Sequence, residues 1–221
     1  MLKKRIFSYV VVMIVMLTSF AANAQIEAEA APVDAGGSKI ALGGYMALGL
    51  ATGTGTDSDQ VDGRFAGGGA AYVDIYFSRL IALDVGLGLL GRGIKISEDD
   101  DYIKTYLLNM EIPVGVKFNI SGLQIGAGIS AFIALKGKTK SDFMGVEATA
   151  DWDDNSWDVN RRFNLATKLF VGYAIPVGPI AIVPGLEWTF DLLNNLKGDN
   201  IGDNKWRYTN IMFRVGVEFG L

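Results

Sequence analysis

The chain has 221 residues, with 20 Lys and Arg against 24 Asp and Glu, and its formal net charge is −4. An acidic chain disfavours nucleic acid as a partner. The sequence contains no cysteine and no histidine, so it lacks disulfides as well as the commonest general base and metal ligand. Half of the residues are hydrophobic and 28 are glycine, a composition that excludes a disordered chain and favours one folded domain.

The N-terminus has the pattern of a secretory signal peptide. Residues 3–5 are basic, residues 9–17 are apolar, and residues 22–24 read Ala-Asn-Ala, as a signal peptidase requires. The alternative is an uncleaved membrane anchor, but a membrane helix needs about 20 apolar residues. The sequence therefore predicts a signal peptide over 1–24.

The mature chain divides into a short lead-in and one large domain. Removal of the signal peptide takes away three basic residues and no acidic residue, so the net charge becomes −7. Residues 25–37 are small, acidic and contain proline and glycine, which predicts a flexible linker. Residues 38–221 are predicted to form the folded domain.

Eight segments of this domain alternate apolar and polar residues with a period of two, which predicts β-strands. Each segment has ten or more residues, whereas strands in soluble domains most often have about five or six. Tight turns alternate with long connections, as in outer-membrane barrels. The predicted strands are 39–51, 64–77, 80–94, 104–118, 123–136, 162–175, 180–192 and 208–221.

The two faces of these strands differ in charge. Between the ends of these strands, one face carries bulky apolar residues and no charged residue, whereas the other carries six acidic and five basic residues among glycines and alanines. An Arg or Lys that faces lipid at the bilayer midplane costs about 2 to 4 kcal/mol. We therefore expect the charged face to line a lumen, where its residues form a charge network. These residues are Arg64, Asp74, Asp84, Arg92, Glu111, Lys117, Lys168, Glu187, Asp191, Arg214 and Glu218.

The pattern predicts an all-β fold, an eight-stranded antiparallel up-and-down transmembrane β-barrel. The main alternative is a soluble lipocalin-type barrel, whose polar face meets water and accepts large side chains. Small residues dominate the polar face here, and they suit the narrow lumen of an eight-stranded barrel. We expect the protein in the outer membrane of a diderm bacterium, with short turns in the periplasm and long loops outside the cell.

The first tight turn predicts an unfavourable contact inside the barrel. It places Asp74 directly opposite Asp84, and like charges in opposed positions repel. Lys117 and Arg214 are the candidates to compensate them. The charges form either a purely structural lumen network or a path for water or ions.

Two prolines lie inside predicted strands. Pro113 and Pro184 cannot donate a hydrogen bond to the ladder, and a closed barrel has no free edge to place them on. We expect a β-bulge or a water-bonded carbonyl at each of them.

The long loops hold the candidate interaction residues. Two of the loops are acidic, at 97–101 and 151–158, but neither has the spacing of a calcium-binding loop, which favours solvated acidic tips. Trp152 and Trp157 lie on the second of these loops. They are candidates to anchor in the outer leaflet, to pack the loop onto itself, or to contact a partner.

Three segments carry a resemblance to known proteins. They read "LDVGLGLLGRG" at 83–93, "YLLNMEIPVGVKF" at 106–118 and "NISGLQIGAGISAFIAL" at 119–135. With them the chain resembles the outer-membrane-protein beta-barrel-domain family and, more loosely, small barrels of the OmpX and OmpW type. The resemblance implies an outer-membrane location and usually no enzymatic activity. The chain departs from the family in ending at Leu221 rather than at an aromatic residue.

The expected function is that of a small integral outer-membrane barrel with a side-chain-filled lumen and a structural or surface-interaction role through its extracellular loops. A narrow pore for water, ions or small solutes is the alternative. A lipid A-modifying enzyme is third, since such barrels typically rely on histidine. We expect no catalytic residue, metal or cofactor, and a monomer whose partners are outer-membrane lipids and the barrel assembly machinery.

Overall fold

The computed structural model describes five ranges of the chain. They are residues 40–55, 61–98, 101–152, 160–196 and 206–220. The predicted signal peptide, the predicted linker, Trp157 and Leu221 lie outside these ranges. Among the described residues, no helix has the length and apolar character needed to cross a membrane.

Ten antiparallel β-strands make up the described chain. In order they are β1 (Ile40–Gly55), β2 (Val61–Tyr76), β3 (Ile81–Glu98), β4 (Asp101–Ile120), β5 (Leu123–Phe143), β6 (Val146–Asp151), β7 (Phe163–Tyr173), β8 (Ile175–Val177), β9 (Ile180–Asp191) and β10 (Trp206–Gly220).

The strands close into one ring. Strand β10 pairs with both β9 and β1, so the sheet has no free edge there. Strands β7 and β8 both pair with β9 and form one barrel strand interrupted at Ala174, while β6 pairs with β5. The ring therefore has eight strands, which confirms the predicted eight-stranded antiparallel barrel.

Exposure alternates from residue to residue along the strands. In β9, Trp188 is 41% exposed and its neighbour Glu187 only 1%. In β10, Phe213 is 39% exposed and Arg214 only 4%. Because successive side chains of a strand point to opposite faces, the exterior of the barrel is apolar and the lumen holds the charges.

The two ends of the barrel differ. Tight turns join the strands at one end, at 77–80, 121–122 and 178–179. At the other end β5 and β6 form a hairpin through Met144 and Gly145, whose φ values of 53° and 79° suit a two-residue type I′ turn.

Strands extend into all four of the predicted long loops. The predicted loop after residue 136 contains the end of β5 and all of β6, and the predicted loop at 95–103 is strand at 95–98 and 101–103. The apolar alternation stops at the membrane surface, but the hydrogen-bonded ladder continues beyond it with polar side chains. A prediction from hydrophobic alternation therefore ends these strands too early.

Neither proline forms a β-bulge, so the first of the two expected arrangements is wrong. Pro113 stays in register with Ser130, and Pro184 stays in register with Val215. Each proline lacks a hydrogen-bond donor toward only one neighbouring strand. The hydrogen-bonded pairing with that neighbouring strand is interrupted beside the proline. For Pro184 the interruption lies at Ala174, between β7 and β8, and the two segments pair with β9 in the same register on both sides of it.

Register shifts occur elsewhere. One separates Gly63 from Gly67 in β2, and the other inserts Leu135 into β5 opposite the step from Leu108 to Asn109. Leu135 and Lys136 are consequently both exposed. The second shift changes which side chains of β5 face outward beyond this point.

Candidate functional site

The lumen brings most of the predicted charges together. Nine of the eleven are buried, and Asp84 and Arg64 are partly exposed. The buried charges fall into three groups along the barrel axis, which we name the lower, middle and upper tiers, counted from the tight-turn end.

The lower tier centres on Lys117. Its ammonium forms a salt bridge with Asp74 and a second one, at 2.6 Å, with Glu218. Tyr72 donates its hydroxyl to Oε1 of Glu218 at 2.8 Å, and Gln124 donates its amide to Oε2 at 2.9 Å. One cation on β4 thus joins two carboxylates from β2 and β10 across the barrel.

Asp84 lies beside this tier. It is directly opposite Asp74 in the register of β2 and β3, as the turn predicts. Asp84 lines a small cavity of about 40 Å³ together with Lys117, Lys168 and Arg214. In the described ranges Asp84 forms no ion pair.

The middle tier centres on Lys168. Its ammonium lies 2.9 Å from Oε1 of Glu111 and 3.2 Å from Oε2 of Glu187, and it donates to the Tyr45 hydroxyl at 2.7 Å. Arg214 reaches the same Glu187 oxygen at 3.3 Å. Two cations and two carboxylates from four strands therefore neutralise one another at this level.

Aromatic rings hold the Arg214 guanidinium in place. Its central carbon lies 4.0 Å from the ring centroid of Tyr45 and 3.9 Å from that of Phe170. A planar guanidinium stacks well on aromatic rings, whereas an ammonium acts as a point charge. The two rings also fill lumen volume that the small residues leave open.

The upper tier centres on Arg92 and Asp191. The two side chains are joined at 2.8 Å, and Asp191 also accepts hydrogen bonds from the amides of Asn164 and Asn195 at 3.2 and 2.8 Å. The rings of Phe132 and Tyr208 contact the Arg92 guanidinium. Their centroids lie 4.6 and 4.5 Å from its central carbon.

Arg64 does not join the lumen ion pairs. Its guanidinium lies over the ring of Tyr106, 4.8 Å from the centroid, and Tyr106 belongs to the apolar outer set. In the described ranges Arg64 forms no ion pair. The register shift between Gly63 and Gly67 alters the pairing of β2 with β3 at this point, which the alternation pattern does not reveal.

Sequence reasoning missed the uncharged members of the lumen. Besides charges, glycines and alanines, the inward face holds five large buried aromatic rings and several amide and hydroxyl side chains. These residues share the periodicity of the charges, and that signal identifies them. Within the strands they include Tyr45, Tyr72, Asn109, Gln124, Ser130, Phe132, Asn164, Phe170, Thr189, Tyr208 and Asn210.

Trp152 packs onto the barrel mouth. Its ring lies directly over Gly137, its indole N–H donates to Oγ1 of Thr139 at 2.7 Å, and it contacts the cluster that contains Leu107 and Tyr208. Trp157, the other candidate on this loop, is among the residues outside the described ranges.

The described residues include no group of three or more acidic side chains placed to hold a metal ion. Ser130 donates its hydroxyl to Glu111 at 2.8 Å, and Lys168 lies on the same oxygen. Ser130 is fully buried.

The closed ring, the apolar exterior and the ion-paired lumen define the class of protein. The chain is an eight-stranded transmembrane β-barrel of the outer-membrane type. No protein-family model matches it, and no curated protein matches it.

Three solved structures illustrate the likeness in fold. Neisserial surface protein A is 10% identical, with 83% of this chain and 98% of that chain covered and a TM-score of 0.40. Ail of Yersinia pestis, in complex with a heparin analogue, is 13% identical over 82% and 99%, with a TM-score of 0.44. OprG of Pseudomonas aeruginosa is 11% identical over 82% and 94%, with a TM-score of 0.36. With TM-scores below 0.5, these likenesses carry no functional conclusion for this chain.

Replacement of Lys117 tests the lower tier. The substitution Lys117→Met leaves Asp74 and Glu218 buried without their counter-charge, which costs about 3 kcal/mol of unfolding free energy. Urea unfolding of the barrel in lipid vesicles measures the loss. Adding Asp74→Asn and Glu218→Gln removes the stranded charges and restores at least half of it, while Lys138→Met on the surface changes little. Unchanged stability of Lys117→Met contradicts the pairing.

The outer hairpin of β5 and β6 should respond to pH. Hydrogen bonds from Lys140 at 2.8 Å and from the Tyr102 hydroxyl at 2.9 Å lower the pKa of Glu147. A lowered pKa contributes stability above the ordinary value of about 4.3, and that stability is lost as the pH falls through the folded value. The bond to Glu147 raises the pKa of Lys140, so its contribution persists at neutral pH and disappears only in strong base.

Amide hydrogen exchange of the hairpin in lipid nanodiscs checks this expectation. Protection of residues 138–142 and 146–150 should fall between pH 7 and pH 3, while protection of the barrel strands is kept. Glu147→Gln should show the weaker protection already at pH 7 and little change with acid. If Glu147→Gln keeps the pH response of the native chain, Glu147 is not the source of that response.

Proposed function

We propose that the protein is a small outer-membrane barrel with a closed lumen, which acts at the cell surface through its long hairpins. It conducts no solute and carries out no catalysis. The observation that carries this proposal is the filling of the lumen by three tiers of paired charges and stacked rings.

The tiers support a closed lumen because each one spans the barrel. The lower tier joins β2, β4 and β10 through Lys117, and the middle tier joins β4, β7, β9 and β10 through Lys168 and Arg214. An eight-stranded barrel is just wide enough for its side chains to fill it. The cavity beside Asp84 has room for roughly three water molecules by volume.

The upper tier closes the outer mouth. The Arg92 guanidinium is held between Phe132 and Tyr208, and Trp152 packs above the neighbouring apolar cluster. A solute that entered from outside would have to break the pair with Asp191 and displace aromatic rings. This arrangement favours a permanently closed outer mouth over one that opens and closes.

The surface role rests on the hairpin of β5 and β6. From Lys136 to Phe143, β5 continues for eight residues beyond the apolar band, roughly 23 Å from the first Cα to the last. The side chains of β6 are exposed along its whole length, and Met144 at the tip is 96% exposed. A structured, exposed hairpin on a rigid barrel suits contact with other surfaces.

Labelling of whole cells tests this orientation. The native chain has no cysteine, so Met144→Cys at the hairpin tip and Ser78→Cys in a tight turn are clean single-site probes. A membrane-impermeant maleimide should label Met144→Cys on intact cells and should label Ser78→Cys only after the outer membrane is permeabilised. The reverse pattern contradicts the proposed orientation.

Conductance tests the closed lumen. Purified protein in planar bilayers should give no single-channel openings above the baseline of a protein-free bilayer. Arg92→Ser, which removes the cation of the upper tier, should still show no channel openings because the lower two tiers remain. Openings in the native chain that grow in Arg92→Ser, but not in the exposed control Arg161→Ser, establish the pore instead.

A further inference from the structure

A cluster of six basic residues lies on the outer wall of the barrel, just above its apolar band. Lys95, Lys104 and Lys140 are directly opposite one another on β3, β4 and β5. The same face of β4 continues toward the membrane through Tyr106 and Leu108, each 40% exposed. With these three lysines we group three further cations as the rim cluster, namely Arg64, Lys136 and Lys138.

Register places the lower members of the cluster at the membrane surface. Lys138 is opposite Tyr106 and Lys136 is opposite Leu108. They face outward because the extra residue Leu135 shifts the alternation of β5. Tyrosine is favoured at the membrane interface, so these cations stand at head-group level.

Only part of the rim cluster is neutralised. Lys95 lies 3.7 Å from Asp62, and Lys140 lies 2.8 Å from Glu147. Across the described residues, four members of the cluster form no ion pair: Arg64, Lys104, Lys136 and Lys138. Loss of solvent around its ammonium, then repulsion from Arg64, Lys140 and Lys95, lowers the pKa of Lys104. An anion here would relieve that repulsion.

An apolar groove begins directly below the unpaired cations. Its volume is about 500 Å³, and Leu48, Phe65 and Leu108 line it, with Lys136 and Lys138 at its upper end. Phe65 is 68% exposed, so the groove opens on the lipid-facing side of the wall.

The groove continues toward the middle of the membrane. A second depression, of about 1010 Å³, shares Gly67, Gly91 and Leu108 with the first and reaches Gly44. Along β1, the distance from Gly44 to Ala51, which is opposite Arg64, is seven residues or roughly 23 Å. One leaflet of the hydrocarbon core is about 15 Å thick, so the groove is long enough for one acyl chain.

We propose that this part of the wall binds a lipid of the outer leaflet that carries a phosphate head group. The phosphate lies among Arg64, Lys104, Lys136 and Lys138, and one acyl chain lies in the groove beneath. Arg and Lys are the side chains that bind phosphate oxygens most strongly. This proposal uses the orientation in the proposed function but does not depend on whether the lumen conducts.

Two other occupants fit less well. A second copy docked symmetrically on this face would bring its own unpaired cations against the first set, and like charges repel. A soluble anion would meet the cations but leave the apolar groove unfilled. The combination of charge above and groove below therefore favours a lipid.

Native mass spectrometry of the purified barrel tests the proposal. The probes are diphosphoryl lipid A and the same lipid with its phosphates removed. The native chain should retain the diphosphoryl form at least tenfold better. Lys136→Gln/Lys138→Gln should lower that retention about tenfold, while the matched control Arg79→Gln/Arg161→Gln, which removes two exposed charges elsewhere, should change it less than twofold. Heat-modifiable gel mobility verifies that each variant is folded.

Two further measurements distinguish a bound lipid from the other possible occupants. Gly91→Leu fills the groove and keeps every charge, so it should weaken retention of the diphosphoryl lipid, and inorganic pyrophosphate should not displace that lipid. Equal retention of the two lipids, or no effect of Lys136→Gln/Lys138→Gln, overturns the proposal. Displacement by pyrophosphate identifies a soluble-anion site, and lipid-free dimers abolished by Gly91→Leu identify a second copy.

Discussion

The structure depends on one constraint: inside a bilayer no water is present to satisfy backbone N–H and C=O groups. A sheet with open edges would leave a row of such groups in hydrocarbon at several kcal/mol each. Pairing of β10 with β1 over fifteen residue pairs removes the last edge. Closure in turn divides every strand into a lipid side and a lumen side, and the placement of all charged residues follows from that division.

The lumen shows how a narrow barrel accommodates many charges. Each cation of the lower and middle tiers contacts at least one carboxylate, and the stacked rings of Tyr45, Phe170, Phe132 and Tyr208 fill the space around the two arginines. A buried ion pair contributes little net stability compared with apolar packing, but loss of one partner is expensive. Removal of one partner therefore leaves an uncompensated charge inside the barrel.

The exterior wall has a division of its own. Its central band is apolar, and its outer border is cationic along β3, β4 and β5. The lumen charges and this border lie on opposite sides of the same strands: β4 carries Glu111 and Lys117 inward and Lys104 outward. A single strand thereby contributes both to the lumen ion pairs and to the cationic border.

Alternation with period two was enough to predict the barrel, its eight strands and the inward set of charges apart from Arg64, because a charge that faces lipid is costly whereas a charge in the lumen can find a partner. Contacts between strands distant in sequence, such as Lys117 with Glu218 and Arg92 with Asp191, came only from closure of the ring. Periodicity indicates on which face of a strand a residue lies, but it does not indicate which residue it contacts across the lumen. The outward orientation of the lysines after Leu135 could also be read only from the tertiary structure. Leu135 is an extra residue in β5, and it reverses the alternation beyond it without changing the local sequence pattern.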